Sequence, residues 1–366
     1  MKTPSIFLSA CMFSCLILLA GCTVVESSPA DPSSPSSIQT FSPTEPAAAD
    51  LPAPGLPLSV SFVNPLSSRA EPEQLLVQAI DDAQQSVDIA VYNLSLEDVS
   101  DALLAADRRG VRVRLVMESD NLDSDAVQSL LDAKIPVLGD RRESLMHNKF
   151  MVVDGQEVWT GSMNYTPNGA RLDRNDLIHL VSSEAAQDYT TEFEEMFTQD
   201  QFGAGSPADT PDPEITLSDG TQVEVYFSPE DQVADHLEKL IRSATQSITV
   251  LAYNWTSNPL ADALVEQAEN GLQVRVVMDG ETAANSTGSD LERFQQSGVD
   301  VKVWRSDGLM HMKAIIVDGK IVATGSYNYT ASADQKNDEN VIIIHQSQLA
   351  AQYLAEFERI DQIAEP

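Results

Sequence analysis

From about residue 58 onward, short apolar runs alternate with longer stretches in which apolar residues return every three or four positions. The first pattern is that of buried strands and the second that of amphipathic helices. In the first half it predicts a helix over about 73–85, a strand over 86–92, a helix over 96–109 and a strand in "VRVRLVM". Ser95 and Asp98 are placed to form a capping box at the start of the second helix. A further helix and short strand follow, then a hairpin with an Asp-Gly turn, a strand in "DLIHLVS" and a closing helix over 184–198. The same series returns later: helix 232–245, strand 247–253, helix 258–270, strand "QVRVVM", hairpin, strand "NVIIIHQ" and helix 347–359.

The repetition extends to residue identity. "AQQSVDIAVYN" (83–93) aligns with "ATQSITVLAYN" (244–254), and "RGVRVRLVME" (109–118) with "NGLQVRVVMD" (270–279), both at an offset of 161. A repeat this long is a duplicated domain rather than a solenoid unit. Strands alternating with helices predict an α/β fold with a mixed, largely parallel sheet in each half. The expected domains are residues 58–200 and 221–366, joined by a Pro-, Gly- and Asp-rich linker over 201–220.

The N-terminal segment has a different pattern. One early lysine precedes an apolar run from Ile6 to Ala20, which is short for a membrane span and suits a signal peptide over 1–21. The run ends in "LAGC", which resembles a bacterial lipoprotein cleavage site with Cys22 as the lipidated residue. Cys11 and Cys15 would be lost with the signal, so the mature chain keeps Cys22 alone, with no disulfide and no thiolate metal site. Residues 22–57, rich in Ser, Pro and Ala, read as an extended tether spanning roughly 30–35 Å. The expected location is the bacterial cell envelope, lipid-anchored, and the outer membrane in a Gram-negative host, because Thr23 rather than Asp follows the cysteine.

Composition narrows the partners. Of 366 residues 42% are hydrophobic, enough for a sizeable core, and 56 acidic against 22 basic residues give a formal charge of −34. That field repels polyanions at long range and argues against a broad nucleic-acid face, though not against a small basic pocket.

Two blocks carry the chemistry. Residues 147–164 read "HNKFMVVDGQEVWTGSMN" and residues 311–328 read "HMKAIIVDGKIVATGSYN". The His, Lys, Asp-Gly, Thr-Gly-Ser and Asn positions are kept while most of the apolar filler changes, and two of only five histidines occur here. In extended chain, residues i and i+2 share a side, so His147 projects with Lys149 and His311 with Lys313. Lys and Asn offer N–H donors and Ser a hydroxyl to a phosphate oxygen. One half suffices for binding. Chemistry through a covalent intermediate needs one histidine to attack and one to protonate the leaving group, and duplication supplies both. Asp154 and Asp318 stand in the Asp-Gly turns, where a structural role is as open to them as a catalytic one, and Ser162 and Ser326 could equally serve hydrogen bonds within the hairpins. His179, His236 and His345 read as ordinary strand or helix residues, Tyr92 and Tyr253 as packing residues, and Met117 and Met278 as core.

His147, Lys149, Asp154, Gly161, Ser162 and Asn164, with His311, Lys313, Asp318, Gly325, Ser326 and Asn328, resemble the paired HKD motifs of the phospholipase D superfamily. The resemblance covers about residues 58–362. It implies two tandem α/β/α repeats about a pseudo-two-fold axis, with one active site at their interface and a phosphodiesterase working through a phosphohistidine. It implies no metal and no cofactor. By carry-over, His147, Lys149, Asp154, His311, Lys313 and Asp318 are catalytic, with His147 the nucleophile and His311 the general acid. Ser162, Asn164, Ser326 and Asn328 bind substrate. Glu339 orients the histidine of the second half, while the first is left with Asp176 or a weaker hydrogen bond. Two histidines in opposite protonation states imply a bell-shaped rate profile. The endings "GSMNYT" and "GSYNYT" look like the compact nuclease and cardiolipin-hydrolase branch. The charge and the expected anchor favour a phospholipid substrate, with nucleic acid as the alternative. With both halves in one chain, a monomer suffices.

Overall fold

In each half an antiparallel hairpin is spliced beside a parallel βαβ unit, and this junction positions the site. The computed structural model describes residues 56–65 and 70–366. The predicted signal, Cys22 and the tether through residue 55 lie outside the described residues. Among the described residues no helix is long and apolar enough to cross a membrane.

The first half runs β1 (Leu58–Phe62), α1 (Glu71–Asp82), β2 (Ser86–Val91), α2 (Glu97–Arg109), β3 (Arg112–Met117), α3 (Asp125–Asp132), β4 (Val137–Gly139), β5 (Lys149–Val153), β6 (Glu157–Gly161), α4 (Pro167–Arg171), β7 (Asp176–Val181) and α5 (Ser183–Phe197). The second runs β8 (Glu214–Thr216), β9 (Gln222–Ser228), α6 (Val233–Arg242), β10 (Ser247–Ala252), α7 (Asn258–Glu269), β11 (Gln273–Asp279), α8 (Gly280–Asn285), α9 (Leu291–Gln296), β12 (Asp300–Trp304), β13 (Lys313–Val317), β14 (Ile321–Gly325), α10 (Ala331–Gln335), β15 (Glu339–His345) and α11 (Ser347–Asp361). The sheet orders are β1-β7-β6-β5-β2-β3-β4 and β12-β11-β10-β13-β14-β15-β9-β8. The second matches the first in reverse, with β8 added from the segment expected to be only linker.

The sheets are mixed but not largely parallel. Among the strands of the described residues, only β2–β3, β3–β4, β10–β11 and β11–β12 pair in parallel. The hairpins β5–β6 and β13–β14 bring their strands in antiparallel, and β7, β15, β1 and β9 extend the sheets the same way. The capping box at α2 is also absent: Leu96 is the N-cap and makes no side-chain cap hydrogen bond.

The apolar filler of the two blocks sets the layers. Side chains alternate along a strand, so Phe150, Val152, Ala314 and Ile316 face a central core that also holds Tyr189 and Phe193 of α5 and Tyr353 and Phe357 of α11. Met151 and Val153 face an outer core with α1–α3, and Ile315 and Val317 another with α6 and α7. The layers therefore run α/β/α/β/α, with both halves sharing the middle one. A strand apolar on both faces is what this burial requires.

Candidate active site

Each hairpin turn needs two residues at positive φ. Asp154 and Gly155 have φ of 54° and 62°, and Asp318 and Gly319 have 53° and 60°. The aspartate side chains clasp the loop before the neighbouring strand. Asp154 accepts from the backbone N–H groups of Gln84 (2.9 Å), Gln85 (2.6 Å) and Ser86 (2.8 Å), and Asp318 from those of Thr245, Gln246 and Ser247. These two residues, placed in the catalytic set by the resemblance, lie at the far end of β5 and β13 from the histidines, seven residues on and so roughly 23 Å away at the usual rise per residue. Their role is to hold the hairpin.

Burial alone would raise the Asp318 carboxyl, but the Thr245 hydroxyl and the backbone donors outweigh it and hold the group at about 2. A depressed carboxyl stabilises the fold above its unfolded value of about 3.9, and that contribution is lost as pH falls through the folded value. Asp318→Asn is expected to lower stability by about 1–2 kcal/mol at pH 7. In a melting series the gap to the parent protein should close between pH 4 and pH 2; a constant gap would count against this account.

At the other end of the hairpins the two halves exchange partners. His147 donates its backbone N–H to the Asp338 carbonyl (2.9 Å), and His311 donates to the Arg174 carbonyl (3.0 Å). The residue after each of these meets the ring. His147 Nδ1 lies 2.7 Å from Glu339 Oε2, and His311 Nδ1 lies 2.9 Å from Asn175 Oδ1. Each histidine is thus oriented by the opposite half, not by its own. Asp176 does not reach a histidine. Its carboxylate accepts from Thr324 Oγ1 (2.6 Å) and the Tyr353 hydroxyl (2.5 Å) in the central layer. The alternation of side chains explains this, because 175 and 176 point to opposite sides.

The lysines are nearly buried, at 1% and 2% exposure for Lys149 and Lys313. Lys149 Nζ donates to the His147 carbonyl (2.7 Å) and Lys313 Nζ to the His311 carbonyl (2.5 Å). Burial pulls Lys149 down to about 7. It pulls Lys313 well below the ordinary value, and Lys149 adds repulsion. Both imidazoles are pushed well down by burial and then by the lysines. Glu339 is pushed up to about 8 by burial, against the pull of Lys149, Ser326, Asn337 and Lys313. Two ammonium groups and two imidazoles around one carboxylate form a site that a phosphate anion would recharge.

Residues 76–197 and 237–360 each match the family described as "Cardiolipin synthase, PLD-like domain". The chain belongs to this phospholipase D-like family. A phospholipase D of Rickettsia conorii is 35% identical over 134 residues, which cover 37% of this chain and 66% of that protein. The mitochondrial cardiolipin hydrolase of Xenopus tropicalis is 35% identical over 136 residues, covering 37% and 64%. The chain thus spans just under two thirds of the length of either relative. The phosphatidylserine synthase of Haemophilus influenzae is similar in fold across 84% of this chain and 87% of its own, with a TM-score of 0.63 and 15% identity.

The rest of the phospholipase D-like site departs from expectation in two respects. Ser162 and Ser326, expected to bind substrate, are fully buried. The Ser162 hydroxyl donates to Asn175 Oδ1 (2.8 Å). Ser326 Oγ accepts from the Asn340 N–H (2.9 Å) and hydrogen-bonds Glu339. They brace the groups that orient the histidines. Asn164 and Asn328, by contrast, are half-buried and each has an Oδ1 without a hydrogen-bond partner. Tyr92 and Tyr253 do more than pack. Their rings meet His147 and His311 at 5.0 and 4.7 Å and lie 5.4 and 4.7 Å from the Nζ atoms of Lys149 and Lys313. Their shared place at the ends of β2 and β10 was the signal for this. The phospholipase D-like glycines are equally specific. A Cβ on Gly161 or Gly325 would meet the carbonyl oxygen of Asp176 or Asn340 at 2.5 or 2.2 Å. The other three histidines are structural: His179 stacks on Trp159, His236 stacks on Tyr226, and His345 pairs with Glu224.

Proposed function

We propose that the protein is a phospholipase D-type phosphodiesterase that cleaves phospholipid phosphodiester bonds through a phosphohistidine, using both motifs as one site. The observation that carries this reading is the reciprocal clasp of two histidines from opposite halves, each above a buried lysine. One imidazole forms a bond to phosphorus while the leaving oxygen takes a proton from the other. Water then attacks the phosphohistidine and gives its proton to the second imidazole. Lys149, Lys313, Asn164 and Asn328 bind the phosphate and stabilise the added charge of the transition state. The net charge of −34 opposes a polyanionic substrate. A lipid anchor at Cys22 would keep the site within a tether's reach of envelope lipid and raise its effective concentration.

The test is headgroup release by the full-length protein from vesicles of phosphatidylcholine, phosphatidylethanolamine or cardiolipin in EDTA, with plasmid DNA in parallel. The expected result is headgroup release that persists in EDTA and is lost in His147→Asn. Nicked DNA with intact lipid, abolished by the same substitution, would make the protein a nuclease of the same family.

A further inference from the structure

The two histidines are held alike in backbone and differently at the ring. Glu339 and Asn175 occupy matching positions, eleven residues past Asn328 and Asn164. One is a carboxylate behind His147, and the other a neutral amide behind His311. The amide is not free to turn. Asn175 is fully buried, its Nδ2 donates to the Gly169 carbonyl (2.9 Å), and its Oδ1 accepts from the Ser162 hydroxyl (2.8 Å). The oxygen is therefore the atom facing His311 Nδ1, and an amide oxygen only accepts. His311 must carry its Nδ1 proton in either charge state, which leaves Nε2 for the reaction.

We infer that Asn175 is a positioning residue that sets His311 as the proton donor and, against Glu339 behind His147, gives the duplicated site one working direction. This rests on the phosphodiesterase reading above and deepens it. In the first step the lone pair of His147 Nε2 forms the P–N bond. The P–O bond to the leaving group breaks with its electron pair, and that oxygen takes the Nε2 proton of His311. His147 gains positive charge, and Glu339, 2.7 Å away and ionised once a bound phosphodiester recharges the lysines, balances it. His311 loses positive charge, and a neutral partner gives it little reason to retain the proton. In the second step water loses a proton to His311 Nε2 as its oxygen attacks phosphorus, and the P–N electrons return to His147. A carboxylate at 175 would hold the proton on His311 and oppose the first step.

The other groups acting on the His311 ring agree with this. Lys313, Lys149 and His147 all disfavour its charged form, with the Ser162 backbone opposing them. The Tyr253 ring covers one side. Asp176 and Asp279 act on Lys313, as does Asp173. The anionic substrate is then what charges His311, so the acid is armed when a phosphodiester is present.

The experiment uses the full-length protein and bis(p-nitrophenyl) phosphate as probe, with phosphatidylcholine as the poor-leaving-group comparison. Acid quench during turnover, followed by peptide mass spectrometry, locates the phosphoryl adduct. The expected site is His147. In Asn175→Asp the general acid stays protonated to higher pH, so the alkaline limb of the rate profile should move up by about one unit or more. The rate loss should be larger for phosphatidylcholine than for the nitrophenyl ester, whose leaving group needs less protonation. An adduct on His311, or a lower rate with an unmoved limb, would overturn the inference while leaving the phosphodiesterase reading intact. A protein that cleaves no phosphodiester overturns both. Should Asn175→Asp fail to fold, adduct mapping in the unsubstituted protein still decides the direction.

Discussion

His147→Asn is expected to reduce phosphodiester turnover by at least about a thousandfold, the usual scale for removing a nucleophile. The residue is buried, held at its backbone by Asp338 and at Nδ1 by Glu339, and asparagine offers no nucleophilic nitrogen in place of the imidazole. Asparagine is close in size and can still donate to Glu339, and the fold should survive. Melting temperature is expected to change little, because burial and the lysines already disfavour a charged imidazole there. Groups that act as a unit are not additive. The double variant His147→Asn/His311→Asn should therefore lose little more than either single variant. Steady-state rates on one phosphodiester probe check this, and a tenth or more of parental activity in His147→Asn would remove it as the attacking group.

Much of this site was legible in the chain because duplication marks it. His147, Lys149, His311 and Lys313 recur with the Asp-Gly and Gly-Ser-x-Asn that follow them, and the resemblance these blocks carry implied the layered α/β repeats. Partner choice was not legible. His147 and Glu339 are 192 positions apart, and which half supplies the partner depends on how two sheets stack across a shared helical layer, a tertiary fact with no local sign. Asn175 stands at the position that matches Glu339, while strand parity turns the neighbouring carboxylate, Asp176, into the core. The serines and aspartates of the blocks look like reactive groups by type alone. Burial and committed hydrogen bonds show them to be braces. In the fold, β1 and β9 went unread although "QVEVYFS" alternates, and β8 was hidden in a segment whose prolines suggested linker. Alternating strands and helices imply parallel pairing, and the hairpins add antiparallel ladders that this alternation does not show.

Glu339→Gln separates activity from stability most sharply. The carboxylate is fully buried and, beyond His147, is met by Ser326 and by Asn337 Nδ2 at 3.3 Å. Glutamine fills the same space and removes the charge that would balance a phosphorylated imidazole. Turnover should fall by up to about four orders of magnitude, the loss that follows neutralising a carboxylate behind a catalytic histidine, with a much smaller change in KM, since the lysines and asparagines proposed to bind phosphate are untouched. Stability should move the other way. Burial raises the Glu339 carboxyl to about 8, well above its unfolded value of about 4.3, so the folded state resists its ionisation. That penalty is absent below about pH 4, grows as pH rises through the unfolded value and is complete near pH 8. The glutamine variant carries no such penalty. Its melting temperature should match the parent at pH 4 and exceed it increasingly toward pH 8, with the gap narrowed when a phosphate analogue recharges the parent's lysines and favours the ionised carboxylate. Equal melting curves at pH 8, or a variant that loses substrate affinity rather than turnover, would show that Glu339 serves the fold and not the attacking histidine.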